Sequence, residues 1–281
     1  MRGTPEREDE EVRKETERAN RNGLITTMVN YIVSHPFFVF PLSFIVLWLS
    51  AHIGAFFRSR LPPLAEEQRQ DFSVLQGAIL TLLSLLIGFT FSMGISRYDL
   101  RKNYEEAEAN AIGTEYVRSD LLPGSDLAEV RELLRNYVDQ RVLFYTTRDA
   151  QQLRQLNTDT AQLQNRLWSA VKTRSESQPT PIVALAVSGM NDVLNSQGFT
   201  QAAWWNHIPV AAWILMVLIA VGCNVLVGFG SRRPNSLLFI LLPLAVSVSF
   251  FLLADLDSPR GGMIRVQPKN LLILSQSLRT H

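Results

Sequence analysis

VLQGAILTLLSLLIGFTFSMGIS, residues 74–96, runs for 23 residues without a charged side chain. A bilayer core of about 30 Å takes about 20 helical residues to cross. Backbone polar groups left unpaired in lipid are so costly that only helices and closed barrels span it. The stretch therefore predicts a membrane-spanning helix. Three other runs have the same character: Phe37–Phe57 with 21 residues, Ile208–Phe229 with 22 and Leu237–Ala254 with 18. Their flanks carry interfacial anchors, namely Arg58 and Arg60, Arg97, Trp204 and Trp205, and Arg232 and Arg233. Pro41 and Pro243 fall inside two of the runs, where kinks are expected.

Working outward from these spans, the reading is an all-α membrane protein with four transmembrane helices in two hairpins. A helical cytoplasmic domain is inserted between the hairpins. The segments are a charged tail with a short interfacial stretch (1–36), the first hairpin (37–96), the helical domain (97–207), the second hairpin (208–254) and a C-terminal tail (255–281). Thirteen of the first 21 residues are charged, so Arg2–Arg21 reads as a solvated tail and no cleaved leader is expected. Leu24–Val33 reads as a stretch along the membrane surface. The hairpins are joined internally by a loop at Arg58–Ser73 and by a turn containing Gly230, Pro234 and Asn235. Twelve Lys and Arg residues lie in the N-terminal tail and close behind the second and fourth spans, against five in the opposite loops. That bias puts both termini in the cytoplasm.

The central domain shows helical periods only. Leu153, Leu156, Thr160, Leu163, Leu167 and Val171 share one helix face. Leu127, Val130, Leu134, Tyr137 and Val138 form another, started by the turn at Pro123. Val183, Val187, Met190 and Leu194 outline a third after a break at Ser177–Pro181. The Leu153–Val171 face packs within the subunit or against a neighbour.

Several function classes are disfavoured. The 27 Lys and Arg residues are interleaved with 26 Asp and Glu, giving a net charge of +1, so nucleic acid is not an expected partner. The single cysteine, Cys223, permits no internal disulfide, and the four histidines lack metal-ligand spacing. No nucleophile–base signature or phosphate loop appears in a fitting context. The expectation is a non-enzyme without cofactor or metal.

The second span carries the candidate site. Ser73, Gly77, Thr81, Ser84, Gly88, Ser92 and Ser96 recur at spacings of 4, 4, 3, 4, 4 and 4, making one side of the helix small and polar. Two readings stay open: close helix packing through small residues, or the lining of a water-filled path. If the helix runs on unbroken, Asp99, Asn103, Glu106, Asn110 and Thr114 continue the same face. In a symmetric oligomer, Asp99 and Glu106 then form acid rings favouring cations; the plainer reading is a solvated face. Asp255 and Asp257, at the end of the fourth span, either draw ions to a mouth or anchor the turn that follows. Asn224 is placed to bond a neighbouring helix, and His52 reads as an interfacial side chain.

Leu86–Ser96 running into Arg97-Tyr98-Asp99, the stretch Glu105–Thr114, Asp120-Leu121-Leu122-Pro123, and the closing Leu256-Asp257-Ser258-Pro259-Arg260-Gly261 together resemble the bacterial bestrophin-like membrane proteins. The likeness extends over about residues 40–275. A looser likeness to bestrophins themselves implies a pentameric ion channel lined by its second span. The acidic calcium clasp of animal bestrophins is absent. Phe89 and Phe91 are the nearest counterparts of their phenylalanine-rich neck.

The expectation is thus a homo-oligomer, tetrameric or pentameric, in the bacterial inner membrane, in contact with lipids and inorganic ions. It conducts ions passively and favours cations over anions. Gly77, Thr81, Ser84, Gly88, Ser92 and Ser96 line the path; Asp99, Glu106, Asp255 and Asp257 attract ions to the mouth. The alternative is a non-conducting scaffold or stress sensor whose cytoplasmic helices bind a partner. A secondary transporter is a third reading, weakened by the lack of paired Gly/Pro-broken helices.

Overall fold

The computed structural model describes residues 35–62, 66–122, 124–177, 179–231 and 237–280. The tail Arg2–Arg21, the stretch Leu24–Val33, and Pro123, Arg232, Arg233, Pro234 and Asn235 lie outside them. Every regular element among the described residues is helical. In chain order these are α1 (Pro36–Ser59), α2 (Glu66–Arg118), a 3-10 turn (Ser119–Leu121), α3 (Gly124–Thr146), α4 (Ala150–Ser177), α5 (Pro181–Trp205), α6 (Val210–Gly230), α7 (Leu238–Asp257) and α8 (Lys269–Thr280). Four helical stretches are long and apolar enough to cross a membrane: Pro36–Ser59, Gln68–Leu121, Pro181–Gly230 and Phe239–Asp257. The connection expected over Arg58–Ser73 is mostly helix, because α2 begins at Glu66. Its polar Glu, Gln and Arg residues are good helix formers and extend the apolar run.

The chain divides into two compact units, residues 1–94 with 208–263, and residues 95–207 with 264–281. In the first, α1 packs against α6 and α7. Leu47, Leu83, Met216, Ala220, Cys223, Phe250 and Leu253 form its core. A Cβ at Gly54 would collide with the Val225 carbonyl, and one at Gly228 with the Ala51 carbonyl, so paired glycines let α1 and α6 touch backbone to backbone. Helices α1 and α7 run through Pro41 and Pro243. Large apolar side chains such as Phe38, Ile45, Phe56, Leu218 and Ile240 are exposed on the outer faces. So much apolar surface suits a protein in lipid.

In the second unit, α3 packs on α4 and α8, and α4 on α5. Ile112, Val130, Leu134, Tyr137, Val138, Leu167, Val171, Ala186, Met190 and Leu271 make the core, with Leu153 and Leu163 against it. The Leu153–Val171 face is therefore turned inward. Thr180 caps α5, accepting the Val183 amide at 3.2 Å, with Pro181 in the first turn.

Residues 264–280 differ from the tail read over 255–281. Leu271 and Leu278 of α8 are buried. Glu105 accepts the Leu271 amide at 3.0 Å and the Asn270 side-chain amide at 2.7 Å. A carboxylate there satisfies a free N–H and meets the positive end of the helix. Asp139 accepts Ser275 Oγ and Arg279 Nη2, each at 2.7 Å, while Arg135 Nε donates to the Leu278 carbonyl at 2.8 Å.

Candidate functional site

Helix α2 is continuous over 53 residues, about 80 Å at the usual rise. In the first unit Leu83, Thr90 and Gly94 are buried on one side. On the other side Ser73, Gly77, Thr81, Ser84, Gly88, Ser92 and Ser96 are all exposed. A Cβ added at Gly77 or Gly88 would meet nothing within 4 Å. Packing among the described residues therefore does not account for these two glycines. The hydroxyls donate to their own helix: Thr81 to the Gly77 carbonyl at 2.9 Å, and Ser84 to the Leu80 carbonyl at 2.8 Å. With their hydrogens engaged, the oxygens present lone pairs outward, an arrangement suited to a cation or water. Leu82, Leu85, Phe89 and Met93 are exposed beside the stripe.

In the second unit the same helix exposes Asp99, Asn103, Glu106, Asn110 and Thr114. Its inner face buries Arg101, Glu105, Glu108 and Glu115. Arg101 donates to the Ala203 carbonyl at 3.2 Å and the Asn206 carbonyl at 3.3 Å, closing the end of α5. Glu108 forms a fully buried ion pair with Arg141 of α3. It also accepts Thr200 Oγ1 at 3.2 Å and Tyr145 Oη at 3.3 Å. Burial works against the Arg141 charge, but the Glu108 carboxylate outweighs it and holds that guanidinium above its ordinary value. Burial first, then the Glu108 charge, pushes the Tyr145 phenol up.

These buried charges were not among the predicted site residues. Their signal was present: Arg101, Glu105, Glu108, Ile112 and Glu115 recur at spacings of 4, 3, 4 and 3. A search for apolar periods passes over such a face.

Asp255 and Asp257 are 1% and 2% exposed. Asp255 Oδ1 accepts the Met263 amide at 2.6 Å, and Asp257 Oδ1 accepts the Ile208 amide at 2.8 Å. A Cβ at Gly262 would lie 2.8 Å from Asp255 Oδ1, so the turn needs glycine there. Their geometry fits the anchoring reading, and neither offers an exposed charge to ions. Asn224 Nδ2 bonds the Ala220 carbonyl of its own helix at 2.8 Å instead of a neighbouring one. His52 Nδ1 lies 2.9 Å from the Trp48 carbonyl, with its ring against Phe239. Among the described residues no three His, Cys, Asp or Glu side chains converge as a metal-binding group.

Comparison with known proteins agrees with this architecture. No curated protein matches the chain in sequence. A crystal structure of a bacterial bestrophin homolog from Klebsiella pneumoniae, phased on zinc, superposes with a TM-score of 0.60 at 17% identity, covering 87% of this chain and 97% of that one. A point variant of a K. pneumoniae bestrophin homolog gives 0.61 at 14%, covering 86% and 98%. A structure described only as a membrane protein variant gives 0.61 at 15%, covering 85% and 97%. At these identities the likeness is one of fold. The Bestrophin-like domain family model matches residues 45–271. The chain belongs to the bestrophin-like family.

Proposed function

We propose that this chain is one subunit of a homo-oligomeric ion channel of the bacterial inner membrane, conducting passively and favouring cations. Its spans form two hairpins around a helical cytoplasmic domain, with both termini in the cytoplasm. Helix α2 lines the pore through Gly77, Thr81, Ser84, Gly88, Ser92 and Ser96, while Asp99 and Glu106 draw cations to the inner mouth. The observation that carries this reading is the small, polar face of α2, exposed throughout and with open space beyond Gly77 and Gly88. Exposed small residues, two of them glycines with open space beside them, suit a lumen or a symmetry axis. The apolar column Leu82, Leu85, Phe89 and Met93 beside them supplies a surface for the next copy. Exposed acids repeated by symmetry make rings of negative potential at the mouth. Asp255 and Asp257 belong to the scaffold in this reading. The scaffold alternative loses its chosen surface, since the Leu153–Val171 face is occupied by the core.

The test is flux through purified protein in liposomes under opposing K⁺ and Cl⁻ gradients. A protein-dependent current reversing near the K⁺ potential, reduced by Gly88→Leu, supports the proposal. Reversal near the Cl⁻ potential removes Asp99 and Glu106 as selectivity elements. A current unchanged by Gly88→Leu removes α2 as the lining.

A further inference from the structure

Glu115 is fully buried on the inner face of α2, and neither of its carboxylate oxygens accepts a hydrogen bond from the described residues. The buried acids about two and three turns earlier, Glu108 and Glu105, are both engaged by donors from other helices. Glu115 instead packs against a gap in α5. A Cβ at Gly189 would collide with Glu115 Oε2 and with Arg118 Nη1, so both groups occupy the room that a missing side chain leaves. Arg118 Nη1 also lies 3.9 Å from Asp192 Oδ2, one turn further along α5. The next residue, Tyr116, engages the cations of α3: Arg131 and Arg135 lie over its ring at 4.8 and 5.5 Å, and Arg131 pairs with Asp120. The charges that act on Glu115 are thus Arg118 from its own helix and Asp192 from α5.

We propose that Glu115, Arg118, Gly189 and Asp192 form a proton-operated latch between α2 and α5. With Glu115 protonated, the neutral carboxyl tolerates burial against Gly189 and Arg118 reaches across to Asp192. When Glu115 releases its proton to solvent, the carboxylate has no donor at its place. It draws Arg118 away from Asp192 and admits water at Gly189, and α5 loosens from α2.

The direction of the pH effect follows from the environment. Burial is the main cause that raises the Glu115 carboxyl from 4.5 to about 8, with Arg118 pulling it down and Asp192 pushing it up. This group lies 19 residues past the end of the apolar run, outside the membrane-spanning part of α2. A folded-state value above the unfolded one means that the fold binds the proton more tightly. The stabilisation is full below the unfolded value and is lost as pH rises toward 8; above that the latch is open.

Hydrogen–deuterium exchange of α5 in the purified full chain tests this between pH 6 and pH 9.5, after correction for the intrinsic pH dependence of exchange. Wild type is expected to lose protection over residues 181–195 by about tenfold per pH unit as pH rises from 6, levelling off at about 8. Glu115→Gln stays neutral at every pH and is expected to keep α5 protected across the range. Asp192→Asn changes an exposed side chain; it weakens the closed latch by removing the partner of Arg118, and by removing a neighbouring negative charge it moves the levelling point to lower pH. Protection in wild type that does not vary with pH overturns the latch. So does a Glu115→Gln protein with the wild-type profile, or a levelling point unmoved by Asp192→Asn. Because the experiment reads α5 and not flux, its outcome is independent of whether the chain conducts.

Discussion

The two faces of α2 beyond residue 97 carry charges with opposite duties. On the inner face Arg101, Glu105 and Glu108 each fasten a different part of the chain: the end of α5, the start of α8 and the C-terminal part of α3. On the outer face Asp99 and Glu106 are exposed, with no hydrogen bond or ion pair among the described residues. The glycines divide the same way. Gly54 and Gly228 exist for backbone contact, whereas Gly77 and Gly88 border open space. In this molecule a residue type says little about its duty until its face of the helix is known. Inner substitutions should cost folding; outer ones should leave the fold intact and change what passes by it.

The largest effect expected is at the buried ion pair. Arg141→Ala strands the Glu108 carboxylate without solvent, and breaking a buried pair typically costs about 3–5 kcal/mol. Thermal unfolding in detergent should show a large fall in midpoint, together with loss of monodisperse protein. An unchanged midpoint would break the comparison at its strongest point. Next comes Glu105→Ala, which leaves the Leu271 amide unmatched and costs about 1–3 kcal/mol. Its effect should be local: protease sensitivity and exchange should rise in residues 264–280 before the rest of the unit responds. Uniform destabilisation would assign Glu105 to the core and not to α8. Gly228→Ala follows, with overpacking of about 1–3 kcal/mol as its methyl group meets the Ala51 carbonyl. Gly88→Ala is its control, expected to change stability by less than about 0.5 kcal/mol.

The same division explains how much could be read from the sequence. The spans were legible because lipid permits only long apolar helices, and the Leu153–Val171 face because a soluble core imposes a 3.6-residue period. The inner charges of α2 were not, since a charged helical face is ordinarily solvated. What buries Glu108 is Arg141, 33 residues away, and what engages Glu105 is Asn270, 165 residues away. Helix α8 escaped for a related reason. The apolar positions it turns to the core, Leu271, Leu274 and Leu278, are few, and its docking rests on Glu105, Asp139 and Arg135 from two other helices. Asp255 and Asp257 illustrate the reverse case. Acids at the end of a span suggest an ion path, but a nearby turn with free amides is an equally good use for them. The exposed stripe on α2 was legible as a pattern. Its exposure required coordinates.

The smallest effects on stability, and the most informative about function, belong to Asp99→Asn and Glu106→Gln. Both side chains are exposed, so each variant should unfold within about 0.5 kcal/mol of wild type. The conduction proposal nonetheless predicts that they shift the reversal potential in liposomes away from the K⁺ potential. The shift should be greatest in the double variant, because neutralising one acid per subunit removes a whole ring of charge. Raising the salt concentration should shrink the difference from wild type, since exposed charges are screened within about 10 Å at 0.1 M. Reading both quantities on one preparation keeps the two explanations apart. A selectivity change at constant stability places the acids in the ion's path. A stability loss as large as that of Glu105→Ala would instead make them a further set of fasteners, and the outer face would no longer differ from the inner one.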